Sequence, residues 1–154
     1  MHHFVKDKNN LVSYNVWSCT DYDGSTNEFT PKNTITATST TEWSINGTHS
    51  LKTTTVNDVV WNAIRIYLYD IHKNDEVTCN CTILNPDCEY LNFALIENVS
   101  GTYTNFIQVS IPPSNTPQNI TLTGTVSQDI SSLIITYSQS KGTVYIDNIQ
   151  LTRT

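Results

Sequence analysis

Charge is scarce in this chain: Asp, Glu, Lys and Arg together make up 14% of 154 residues, and only 8 of those residues are cationic. Helix-favouring Ala, Leu, Glu and Lys are also sparse. Thr, Ser, Asn, Ile, Val and Tyr therefore set the local preference, and they favour strands joined by polar loops. The net charge of -6 excludes ordinary nucleic-acid binding, which depends on neutralising phosphates. No apolar run approaches the ~18 residues that a spanning helix needs. The opening MHHFVKDKNNLV lacks the apolar stretch of a signal peptide. The chain is then either cytosolic or a module cut from a larger protein whose secretion signal lies elsewhere, and the second is expected. Its length suits one domain over residues 1–154.

Catalytic side chains are also few. Carboxylates are scattered, with Asp70 and Glu97 the nearest thing to a glycosidase pair, and nothing in the sequence brings them together. His2 and His3 lie at a terminus, and His49 and His72 are isolated, so neither a Ser-His-Asp arrangement nor a metal-binding histidine cluster has local support. The chain is expected not to be an enzyme.

Four cysteines, Cys19, Cys79, Cys81 and Cys88, are too few to build a disulfide scaffold of this length. Cys79 and Cys81 share one face of a strand, at a Cα spacing of roughly 6.5 to 7 Å, the limit of disulfide geometry. Three readings stand: buried free thiols, a bridge from Cys88 to Cys79 or Cys81, and a metal site for which C-x-C alone is thin support. The sequons at Asn46, Asn80, Asn98 and Asn119 match what a chain so rich in Asn, Ser and Thr produces by chance.

What is present is alternation. In Val60 to Asp70, Ile64, Ile66 and Leu68 point one way, and Trp61, Ala63, Arg65, Tyr67 and Tyr69 the other. The first set is core. The second combines aromatic area with a guanidinium fork, which suits a polar ligand with flat apolar faces such as sugar, although tyrosine also stiffens half-exposed strands. About nine such runs, separated by turn signals such as Asn85-Pro86-Asp87, Ser100-Gly101 and Lys141-Gly142, predict an all-β fold: a two-sheet antiparallel β-sandwich of jelly-roll type. Cys19 to Lys32 reads as a long loop. Parity assigns Val77, Cys79, Cys81, Ile83, Leu91, Phe93, Leu95, Ile107, Val109, Ile111, Ile120, Leu122 and Val126 to the interior, and sends Thr104, Phe106, Gln108 and Ser110 outward. Phe106 and Gln108 thus join Trp61 and Arg65 as candidate ligand contacts if their strands share a sheet.

Landmarks spread over nearly the whole chain resemble the carbohydrate-binding modules of families 4, 9 and 22. They are Asn10-Leu11-Val12, Trp17, Gly47-Thr48-His49-Ser50-Leu51-Lys52, Val60-Trp61-Asn62-Ala63 and the closing Val144-Tyr145-Ile146-Asp147-Asn148-Ile149-Gln150-Leu151. The resemblance implies a jelly roll attached to other domains of a parent protein, extracellular or at a cell surface, with a non-catalytic site for poly- or oligosaccharide on a concave strand face. Trp61 matches an aromatic that touches sugar rings in this family, with Ala63 in place of the usual glycine. Tyr137 and Gln139 fall where family 22 members carry polar and aromatic contacts, while Trp17 and Trp43 are expected to pack at the sandwich ends. The family also often holds a structural calcium where its first and last strands meet, which makes Asp147 a candidate ligand. Here the opening strand lacks the glutamate that usually completes that site, so Asp147 equally suits the role of acceptor for backbone donors. Asp21-Tyr22-Asp23-Gly24 lacks the closing glutamate of a calcium loop. The alternative function, from a different class, is a structural or adhesion domain of a cell-surface or phage-tail protein that presents loops to a protein partner.

Overall fold

The described residues form ten strands: β1 (Thr30–Lys32), β2 (Thr36–Thr40), β3 (Ser50–Thr55), β4 (Asn62–Leu68), β5 (Glu76–Leu84), β6 (Leu91–Val99), β7 (Thr102–Ser110), β8 (Gln118–Thr125), β9 (Ser132–Gln139) and β10 (Gly142–Arg153). They come from a computed structural model that describes residues 9–13, 16, 17, 19, 29–45, 47–57 and 62–154. Two five-stranded sheets result, in the orders β1-β4-β9-β6-β7 and β2-β3-β10-β5-β8, with every pairing antiparallel. This is the expected sandwich. Its one unforeseen strand is β1, which takes the end of the stretch read as a loop and caps one edge of the first sheet.

The core lies between the sheets, and period-two alternation fills it. Ile64 and Ile66 of β4, Val77, Cys79, Cys81 and Ile83 of β5, and Leu91, Phe93 and Leu95 of β6 are all buried, as parity requires. Leu133, Ile135 and Tyr137 of β9 and Val144, Ile146, Ile149 and Leu151 of β10 complete it from the central strands. The four cysteines are buried and free. Burial pushes the Cys79 thiol up to about 12 and carries Cys81 the same way, so both are held as neutral, unreactive thiols.

One irregularity matters for the site. Leu95 pairs with Ile107 but Ile96 pairs with Asn105, so Phe106 is an extra residue, a bulge in β7. Its ring turns inward and lies over Gly124 of β8, where a Cβ would meet Phe106 Cζ at 2.7 Å. Phe106 therefore packs half-buried against the core and is not the outward ligand contact that strict parity assigned. The bulge also reverses the facing of the residues before it: Tyr103 and Asn105 point outward, while Thr104, exposed at the sheet edge, takes the side of the buried Glu97 opposite it.

The chain is closed at its first described segment by a side chain. Asn10 Oδ1 accepts the amide N–H groups of Val12 and Leu151, Asn10 Nδ2 donates to the Ile149 carbonyl, and the Leu11 amide donates to the Leu151 carbonyl at 2.7 Å. Trp17 packs behind this junction, with Nε1 donating to Asn148 Oδ1, which is the end-packing role expected of it. Trp43 lies against Tyr145, with ring centroids 6.2 Å apart.

Candidate functional site

The outward face of the first sheet is built in rows that cross its strands. One row runs Lys32, Ala63, Ser138, Asn92 and Ser110, and the next Thr30, Arg65, Thr136, Ala94 and Gln108. A third holds Tyr67, Ile134, Ile96 and Asn105. Small side chains at the centre, Ala63, Ala94, Thr136 and Ser138, leave a floor between taller flanks. Two adjoining hollows of about 410 and 450 Å³ share Asn92, Asn105 and Ser138, and together form a groove across the strands.

Arg65 and Tyr103 form one flank of this groove. Their strands stand three spacings apart, about 14 Å, yet the guanidinium carbon lies 4.9 Å from the Tyr103 ring centroid, so the two side chains reach toward each other over β9 and β6. Ile134 faces the same side and is fully buried, which requires side chains to close over it. Tyr67 and Tyr69 continue this flank as a stacked pair, centroids 6.5 Å apart and nearly parallel, with Tyr69 largely exposed. Three amides line the groove's β6–β7 end. Asn92 Nδ2 and Asn105 Nδ2 both donate to Gln108 Oε1 at 3.2 Å, which fixes all three while leaving both Asn oxygens and the Gln108 amino group for a ligand. At its far end the groove passes Glu89 and the exposed Tyr90, which it shares with a larger hollow of about 670 Å³ at the rim of the sandwich. That rim hollow has no comparable cluster of mutually fixed side chains, so the sheet face is the better-built site.

The residues named from sequence separate clearly. Arg65 and Gln108 line the groove, and Tyr67 and Tyr69 stand beside it. Trp61 lies outside the described residues. Tyr137 is 1% exposed and belongs to the core: its hydroxyl donates to Thr53 Oγ1, which donates to Gln139 Oε1, and burial pushes its ionisation far upward. No part of Tyr137 is free to stack on a sugar. Sequence reasoning passed over Asn92, Asn105, Ser138, Tyr90 and Tyr103. Parity on β6 already placed Asn92 opposite the core residues Leu91 and Phe93, whereas Tyr103 and Asn105 were hidden by the bulge.

Asp147 sits fully buried under the junction of β10 with the opening segment. Its Oδ2 accepts the Ile45 amide and its Oδ1 the Asn148 amide, each at 2.7 Å. Cys19 lies beside it and donates from Sγ to the Ile146 carbonyl; burial, then the Asp147 charge, raises that thiol well above its usual range. The nearby carbonyls of Ile149 and Leu151 already accept donors from Asn10 and Leu11. Calcium needs about six to eight free oxygens, and among the described residues no three His, Cys, Asp or Glu side chains gather to supply them. Both Asp147 oxygens already hold N–H donors.

No family model and no curated protein matches the sequence. Among solved structures, the xylan-binding domain CBM22-1 of Paenibacillus barcinonensis Xyn10C superposes with a TM-score of 0.69 at 22% identity, over 84% of this chain and 88% of that one. A structure described as "CBM4 structure and function" gives 0.66 at 14% identity, over 87% of this chain and 100% of its own. The fold is that of the family 22 and family 4 carbohydrate-binding modules. The tailspike protein 4 enzymatically active domain of Bacteriophage CBA120 also contains it, with a TM-score of 0.74 at 15% identity over 95% of this chain and 22% of that one. The family 22 and family 4 likeness bears out the jelly roll implied by the opening and closing motifs.

Proposed function

We propose that this chain is a non-catalytic carbohydrate-binding module that holds a β-linked polysaccharide across the outer face of its first sheet. The observation that carries the reading is the fixed trio of Asn92, Asn105 and Gln108 beside a floor of small residues, flanked by tyrosines. Sugars need that pairing: their hydroxyls take amide hydrogen bonds worth about 0.5 to 1.5 kcal/mol each after desolvation, and their C–H faces lie on aromatic rings. The two family 22 domains of the Paenibacillus enzyme are xylan-binding, which makes xylan the first ligand to try. The module works by preformed shape, in an extracellular or cell-surface protein with other domains. Its closing junction is held by hydrogen bonds of Asn10 and Asp147.

Affinity electrophoresis against soluble xylan and β-glucans tests this directly. Retardation by at least one β-linked polymer that disappears in Asn92→Ala/Asn105→Ala is the expected result; a module that migrates unchanged in every gel overturns the reading. The alternative, a structural or adhesion domain presenting loops to a protein partner, is favoured by the match to a segment of a phage tailspike. It predicts no retardation by any glycan.

A further inference from the structure

We infer that the polysaccharide held in the groove carries carboxylate groups, and that Lys32 and Arg65 receive one of them at the β1–β4 end. This rests on the carbohydrate reading above and narrows it to acidic chains.

Cations are the rarest resource in this molecule, with 8 Lys and Arg residues in a chain of net charge -6. Where they are structural, their partners are evident: Lys52 binds Glu42, and Arg153 binds Asp70 and Asp75. Lys32 and Arg65 differ. Both are half-buried, both line the same 410 Å³ hollow, and among the described residues neither makes an ion pair or a side-chain hydrogen bond. No carboxylate lines that hollow with them. Half-burying these charges costs solvation that no carboxylate repays, with the Tyr103 ring offsetting part of it at Arg65 alone.

Arg65 is also held in a useful posture. Tyr103 occupies one face of the guanidinium, at 4.9 Å from the ring centroid, and a cation–π contact uses the face and not the edge. The N–H donors lie in the guanidinium plane and stay available, in the fork geometry that matches a carboxylate. Lys32 stands one row away, opposite Ala63, while Arg65 stands opposite Thr136. A neutral sugar needs no such pair, and in its other half the groove manages with the amides of Asn92, Asn105 and Gln108. That other half ends at Glu89, which repels an anion. The groove is therefore polarised, and an acidic substituent belongs at the Arg65 end.

The test is isothermal titration with three probes: an unbranched xylo-oligosaccharide, the same oligosaccharide with a glucuronosyl branch, and a β-1,4-linked oligomannuronate. At low salt the tighter of the two acidic probes is expected to exceed the neutral one by about fivefold, as two partly exposed ion pairs allow. That ratio should shrink toward one at about 0.5 M salt, where screening is strong. It should shrink likewise in Lys32→Gln, a change at an edge strand that does not disturb the core. In Arg65→Lys, which keeps charge but loses the fork, it should fall only in part. Equal or weaker binding of both acidic probes, or a ratio indifferent to salt and to Lys32→Gln, overturns the inference and leaves the module a neutral-glycan binder. Failure of all three probes to bind overturns this inference, and the carbohydrate reading falls with it only if the β-glucan gels are negative as well.

Discussion

The two sheets present outward faces of similar composition and opposite character. On the second sheet the polar side chains satisfy one another across strands: Thr78 bonds Thr123, Thr121 donates to Asn80, and Thr82 donates to Asn119. On the first sheet, Asn92 and Asn105 converge on a single acceptor in Gln108 and keep their own oxygens free. A polar face becomes a binding face when its groups are positioned but not saturated. Composition alone does not separate the two, since both faces are rich in Thr, Asn and Ser.

The comparison can be broken most forcefully by removing the amides. Asn92→Ala/Asn105→Ala should weaken glycan binding by about tenfold or more, given roughly 1 kcal/mol for each lost hydrogen bond, while Thr78→Val/Thr121→Val on the opposite sheet should leave the dissociation constant unchanged. Titration of both variants against one polysaccharide settles it; equal losses would show that the faces do not differ. Gly124→Ala, which drives a methyl group into the Phe106 ring, should cost about 1 to 3 kcal/mol of stability in urea unfolding with binding intact, because Phe106 packs against the core.

Tyr137→Phe should cost about 1 kcal/mol by removing the hydroxyl bonded to Thr53, again with no loss of affinity. An affinity loss without a stability loss would return Tyr137 to the ligand face. The smallest effect concerns the end of the sandwich. Melting temperatures in calcium and in chelator should coincide, since the oxygens of Asp147 and Asn10 are occupied by N–H donors. A rise of several degrees with calcium would show that the junction rearranges to take the ion.

Much of this was legible in the sequence. The β4 run sorted correctly because one of its faces is wholly apolar at Ile64 and Ile66, and β5 and β6 followed the same rule. Tyr137 shares parity with Leu133 and Ile135, so its inward facing was present in the sequence and was overridden by an alignment to family contacts. β9 is hard to read on any terms: as the central strand of its sheet it is buried at Ile134, under side chains from the flanking strands, as well as at Leu133 and Ile135, which erases the period of two. The bulge at Phe106 did leave a mark, since the adjacent pairs Thr104-Asn105 and Phe106-Ile107 interrupt the alternation, but strict parity counted from Ile107 read straight through it. β1 was missed for its length of three residues.

That extra residue separates two histories within one strand. Because Phe106 stands outside the ladder, losing its codon would leave Asn105 opposite Ile96 and Ile107 opposite Leu95, so every groove residue of β7 would keep its facing. Losing any other codon of the strand between Thr102 and Asn105 would rephase what precedes it and exchange one set of side chains in the groove for another. A lineage carrying this fold thus has one position at which chain length can change to suit the interior alone, and neighbouring positions at which the same kind of change replaces the lining of the groove.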